Sequence, residues 1–153
     1  MYEAKFAELG INIENAAAPL AIYVPALKVG DFVFTSGQIP IEDGKLKFAG
    51  KVTKDLTLEE AQEAAKLCAL NCFRAVKSVA GNLDLIEQIV KLTVFVNSPD
   101  GFTDQPKVAN GASGFIETIF GEKGKHTRAA VGVNELPINS AVEIEMIVKL
   151  KSE

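Results

Sequence analysis

Apolar residues recur along this chain with two different periods, and the switches between them mark out its elements. Leu58, Ala61, Ala65, Cys68, Cys72, Val76 and Val79 follow one another at spacings of three and four, which lines one face of a helix. In front of them, Thr57-Leu58-Glu59-Glu60 has the form of a capping box. The Thr57 hydroxyl accepts from a first-turn amide and Glu60 reaches back to the Thr57 amide. Gly81 supplies the stop. Val108, Ala112, Phe115 and Ile119 predict a second helix over Pro106–Phe120. Gly111 and Gly114 weaken it by about 1 kcal/mol each, and their lack of side chains suits close backbone packing. Tyr2–Leu9 reads as a short amphipathic helix ended by Gly10, and residues 11–19 have no clear period.

Elsewhere the pattern is that of strands. Asp31–Gly37 is rich in aromatic and β-branched residues. The turn signal Glu42-Asp43-Gly44-Lys45 makes a hairpin of Thr35–Ile41 and Lys45–Phe48. Ile89–Val96 is nearly all apolar, which predicts a central strand covered on both faces. Thr127–Val133 and Ala141–Leu150 are two final strands around a turn at Leu136-Pro137-Ile138-Asn139. In the last of them, Val142, Ile144, Met146, Val148 and Leu150 alternate with Glu143, Glu145, Ile147 and Lys149. Two helices separated by strands predict an α+β fold, a single mixed sheet with two helices packed on one face. The second face is mixed in character and has to meet water, a ligand or another subunit.

Length and charge narrow the function classes. The 153 residues suit one domain spanning the whole chain, with roughly two-thirds of the unfolded surface hidden. A net charge of −4 argues against nucleic-acid binding through a general basic field. The single His removes every site that needs two, including HExxH zinc sites. No stretch approaches the roughly 18–20 apolar residues of a membrane span, and the start MYEAKFAELGI is not a signal peptide. Cys68 and Cys72 fall on the apolar face of the long helix and read as buried free thiols, which fits a reducing cytoplasm.

Candidate chemistry gathers on the last two strands. If they form a hairpin turning between Leu136 and Pro137, Ala130 faces Glu143 and Arg128 faces Glu145. Arg128, Ala130, Gly132, Glu143 and Glu145 then share one side, and a one-residue slip reverses the facing. One reading is an ion pair between Arg128 and Glu145, worth about 0–1 kcal/mol at a surface. The other is a site in which Arg128 binds a carboxylate with its two-pronged donor set and Glu143 activates a water. His126 reads as a loop or strand-edge residue, or as a wall of that pocket. Phe95 and Phe120 read as core, Tyr23 as a surface or packing residue, and Glu122, Lys123 and Lys125 as a solvated loop.

Four stretches, in order, resemble the Rid/YjgF family of imine and enamine deaminases. They are Tyr23 ahead of a strand, the run Thr35-Ser36-Gly37-Gln38-Ile39-Pro40, the strand Lys91–Val96, and the ending Thr127-Arg128, Leu136-Pro137, Val142-Glu143-Ile144-Glu145. They span about residues 16–150; the N-terminal EAKFAELGI segment and the Gly121–Lys125 insertion are similar to the longer branch of the family. The resemblance implies a chorismate-mutase-like fold and a homotrimer with sites in clefts between subunits. It implies Arg128 for the substrate carboxylate and Glu143 for the water. It also implies Ser36 and Gly37 lining the pocket, Asn110 on the second helix and Tyr23 closing the cleft. Many members carry a Cys where this chain has Ala130, whose backbone can still bind substrate or water.

The activity so implied is hydrolysis of 2-imino and 2-enamino acids, such as 2-iminobutanoate and 2-iminopropanoate, to 2-keto acids and ammonia. It calls for no cofactor and no metal, for a small carboxylate-bearing partner, and for neither nucleic acid nor membrane. The rival is a non-enzymatic trimer that binds a carboxylate metabolite. RNA cleavage, an older label in this family, has no support in an acidic chain with one His.

Overall fold

The computed structural model describes residues 1–14, 18 and 21–152. Positions 15–17 and 19 of the aperiodic stretch lie outside the described residues. The elements are α1 (Tyr2–Glu8), β1 (Ala26–Val29), β2 (Phe32–Thr35), β3 (Ile41–Glu42), β4 (Lys45–Leu46), α2 (Leu58–Ala80), β5 (Ile86–Asn97), α3 (Gln105–Phe120), β6 (Thr127–Val133) and β7 (Val142–Leu150). Five strands form the main sheet in the order β1-β2-β7-β5-β6, and β3 and β4 pair as a separate ribbon. β5 and β6 are parallel and α3 crosses between them; the other neighbours are antiparallel.

The periodicities map onto this architecture closely. Val142, Ile144, Met146, Val148 and Leu150 are buried against the helical layer, together with Ile89, Leu92, Val94 and Val96 of β5. The α2 stripe is buried from Ala61 to Val76, whereas Val79, in the last turn of the helix, is 39% exposed. The capping box is formed: Glu60 N donates to Thr57 Oγ1 at 3.1 Å and Thr57 N donates to Glu60 Oε2 at 2.7 Å. Thr57→Ala is therefore expected to cost about 1 kcal/mol, read as a lower urea midpoint with an unchanged slope.

α1 is a third helix lying against the same layer. Its buried Phe6 meets Phe73, Phe115 and Phe120 with ring centroids 5.7, 6.0 and 6.3 Å away, edge to face. Lys77 bridges Glu3 at 3.0 Å and Glu14 at 2.7 Å and ties this end of the chain to α2. Phe120 is core, as its pattern suggested, but Phe95 is not. It stands half-buried on the open face of the sheet, in register with Glu143. That open face also carries Leu27, Val29, Phe32, Phe34 and Val131, all exposed.

Cys68 and Cys72 are fully buried free thiols. Their Sγ atoms donate to the Val142 and Ile144 carbonyls at 3.5 and 3.3 Å. Burial pushes the Cys72 thiol up to about 12 and raises Cys68 well above its ordinary value.

Two expected pairings differ. The early hairpin is shorter than its turn signal suggested: only Ile41–Glu42 and Lys45–Leu46 pair, around Asp43 and Gly44 at φ 52° and 73°. The preceding run instead follows β7, where Gln38 exchanges backbone hydrogen bonds of 2.8 and 2.9 Å with Ile144. More consequentially, β6 and β7 are not neighbours, because β5 lies between them. The connection crosses the end of β5, where the buried Asn97 gathers it. Asn97 N donates to Ala141 O at 2.9 Å, Asn97 Nδ2 donates to Ser140 O at 3.1 Å, and Ser98 N donates to Val133 O at 3.1 Å. Alternation assigns a strand's two faces but not its neighbour, so the hairpin reading and the true one leave the same pattern in the sequence.

Candidate functional site

With β5 between them, Arg128 and Glu143 change their relation. Arg128 is in register with Leu92, and Leu92 with Met146; both partners face the helices. Glu143 is in register with Phe95 on the open side. Arg128, Ala130 and Gly132 therefore belong to the helix side, while Glu143 and Glu145 belong to the open side. The expectation that all five share a face is overturned, and so is the Arg128–Glu145 ion pair. In an ideal sheet, two strands and three positions of offset put the Arg128 and Glu143 Cα atoms roughly 14 Å apart. Two half-sites result.

The first half-site is built on β6 and α3. Arg128 lies at the outer strand of the sheet and reaches across to the helix. Its Nη1 donates to Asn110 Oδ1 at 2.9 Å and to Ser113 Oγ at 3.1 Å, and its Nη2 donates to Pro106 O at 3.4 Å. Pro106, Asn110 and Ser113 are spaced by four and three, so they form one polar row beside the buried stripe of α3. These contacts occupy three of the five guanidinium N–H groups and fix its plane. Nε–H and one Nη2–H have no acceptor among the described residues. Asn110, expected to touch the ligand directly, spends its side-chain oxygen on orienting Arg128. Ala130 is half-buried and packs against the core. A cleft of about 320 Å3 opens beside Arg128, lined by Ser113, Glu117, Gly124, Lys125 and His126.

The second half-site lies where the end of β2 meets β7. Glu143 packs against Gly37: a methyl group on Gly37 would stand 2.6 Å from Glu143 Oε1 and 2.8 Å from its Cδ. The absence of a side chain at Gly37 is what admits the carboxyl. Burial raises the Glu143 carboxyl above its ordinary range, and the nearby charge of Glu145 adds to the effect. Ser36 N donates to Pro25 O at 2.9 Å, and Ser36 Oγ donates to Val24 O at 2.6 Å. Both bonds staple the segment that carries Tyr23 to the end of β2. Tyr23 itself is 47% exposed. Tyr23, Ser36, Gly37 and Glu143 thus belong to one half, Arg128, Asn110 and Ala130 to the other.

Ser113 and the carbonyl of Pro106 were not singled out from sequence. The signal was present in the spacing Pro106, Asn110, Ser113, Glu117, a helix row that points the same way as Asn110. Among the described residues, no group of three or more His, Cys, Asp or Glu could hold a metal ion, and no helix is long and apolar enough to cross a membrane.

Comparison with known proteins bears on this arrangement. The sequence profile described as "YjgF/chorismate_mutase-like, putative endoribonuclease" matches residues 3–150. Protein TCP17 of Trypanosoma cruzi is 43% identical over 150 residues, covering 97% of this chain and 94% of that protein. The 2-iminobutanoate/2-iminopropanoate deaminase of Salmonella typhimurium is 31% identical over 139 residues, covering 90% and 94%. Among solved structures, the protein Atu1372 of Agrobacterium tumefaciens, of unknown function, superposes with a TM-score of 0.87 at 42% identity. It covers 98% of this chain and 93% of that one.

Proposed function

The chain belongs to the YjgF/chorismate-mutase-like family, the Rid proteins, and from that premise we propose that it hydrolyses 2-imino acids to 2-keto acids and ammonia. The observation that carries the reading is the guanidinium of Arg128, held by α3 with a two-donor edge left over. Such an edge matches a carboxylate. The deaminase relatives at about 30% identity support the reaction class.

The chemistry needs a second group that Arg128 cannot reach within its own chain. The site is completed between copies, in a homotrimer, with Arg128 of one subunit opposite Glu143 of its neighbour. The exposed apolar residues of the open sheet face are the material for that contact. Once the carboxylate is seated on Arg128, a water held by Glu143 adds through oxygen to C2 of the imine. The C=N π pair becomes an N–H bond. Glu143 takes a proton from the water and returns it to nitrogen, which gives a carbinolamine; it then takes the hydroxyl proton and passes it to nitrogen as the C–N bond breaks, C=O forms and ammonia leaves. Imines of this kind hydrolyse unaided in water, so orientation and a carboxylate that shuttles the water's protons to nitrogen are what the protein has to supply.

A coupled assay tests this. A serine dehydratase generates 2-aminoacrylate, and the appearance of pyruvate is followed with and without the protein. Acceleration is expected; saturable 2-oxobutanoate binding with no acceleration reduces the protein to a carboxylate binder. Glu143→Gln is expected to lower the rate about 100-fold. The raised carboxyl also sets a sign. Glu143 works as a base only when ionised, so activity falls on acidification, and it does so at a higher pH than an exposed Glu would give. That acidic limb is expected to disappear from the residual activity of Glu143→Gln.

A further inference from the structure

His126 enters no step of the proposed reaction, yet it is joined to Arg128. Its Nδ1 lies 2.6 Å from Gly124 O, and its Nε2 lies 3.0 Å from Ser113 Oγ. Ser113 Oγ in turn takes the Nη1–H of Arg128 at 3.1 Å. A carbonyl oxygen can only accept, so the ring proton is on Nδ1. In the neutral ring, Nε2 then presents a lone pair, and the Ser113 hydroxyl must donate to it. That turns the oxygen lone pairs of Ser113 toward Arg128. From His126 to Arg128 the donors and acceptors run in one sense: Nδ1–H to Gly124, Oγ–H to Nε2, Nη1–H to Oγ and to Asn110.

We propose that His126 and Ser113 are positioning residues that act through Arg128, locking the plane of its guanidinium so that the carboxylate-binding edge is ready before a ligand arrives. The proposal rests on the reading of Arg128 as the carboxylate anchor and adds to it the device that orients the anchor. A serine in a helix has another option: its hydroxyl can turn back to the carbonyl four residues earlier, here that of Ala109. The acceptor offered by His126 competes with that option and polarises the hydroxyl toward the guanidinium. A flexible side chain with four rotatable bonds on the outer strand would otherwise be free to swing into the adjoining cleft, whose lining includes Glu117. A ligand would then have to bear the ordering cost.

The test uses the whole protein and 2-oxobutanoate as probe. His126→Ala and Ser113→Ala are each expected to weaken 2-oxobutanoate binding about ten-fold and to raise KM more than they lower kcat. His126→Gln is expected to recover most of the affinity, because its amide oxygen can stand where Nε2 accepts. A ring-volume role predicts instead that Gln behaves like Ala. Since His126 is the only histidine in the sequence, its imidazole nitrogens give one unambiguous set of NMR signals. The neutral ring is expected as the Nδ1–H tautomer, with the Nε2 resonance shifting when 2-oxobutanoate binds. A proton on Nε2, or unchanged binding in both alanine variants while Arg128→Ala binds nothing, overturns the positioning role and leaves the carboxylate reading intact. Unchanged binding in Arg128→Ala overturns both.

Discussion

With Arg128 replaced by Ala, kcat/KM for a 2-imino acid is expected to fall about 1,000-fold, the largest loss of any single change in this chain. The change removes the partner of the substrate carboxylate and the orientation it imposes. Arg128→Lys is not expected to restore function. An ammonium offers no planar pair of donors, and if its three N–H groups went to Asn110, Ser113 and Pro106 none would be left for the carboxylate. The separation of Arg128 from Glu143 makes a stronger test available. Arg128→Ala and Glu143→Gln are each expected to be strongly impaired, but a mixed oligomer contains interfaces that pair an intact Arg128 with an intact Glu143. Unfolding and refolding the two impaired variants together should return part of the wild-type activity. If it returns none while the mixed oligomers assemble, the two residues do not serve one site across an interface.

The largest loss of stability is expected at Gly111. Helix propensity alone favours Gly111→Ala by about 1 kcal/mol. The fold reverses the sign, because a methyl group there would lie 2.2 Å from Gln62 O and 2.7 Å from Gln62 Cα. Both are backbone atoms of α2, so the helices have to separate. The cross-helix bond from Gln62 Nε2 to Lys107 O, 2.8 Å long, is strained with them. Overpacking of this kind costs about 3 kcal/mol, or on the order of 6–12 °C in Tm for a chain of this size. Gly114→Ala is the control. Nothing stands within 4 Å of its added carbon, so it should be neutral or stabilising by up to about 1 kcal/mol. If both variants melt with the wild type, the close approach of α2 and α3 is not what Gly111 provides.

The two glycines also mark how far the sequence could be read. Both looked alike as weak points in a helix, and only the partner helix separates them. The same holds at larger scale. α2, its cap and the buried face of β7 were legible because each is written within a single segment as period and capping residues. β1 was not, because it is only four residues long and its outer face, Leu27 and Val29, is more apolar than its inner face, Ala26 and Lys28, so the alternation points the wrong way. The neighbours of β6 were not legible either. The chain's return across the end of β5 depends on Asn97, whose three contacts with the crossing loop come from residues about forty positions away. Candidate site residues could therefore be named one by one, while their division between two faces of the sheet stayed hidden until β5 was found between them.

The two thiols held beneath β7 turn this protein into its own gauge of breathing. Both are fully buried, and both are spent on carbonyls of β7. A thiol-reactive dye can therefore couple only while α2 is lifted from the sheet, and the coupling rate counts those openings without any engineered label. Cys68 and Cys72 are the two cysteines of the sequence, so no other thiol would blur the signal.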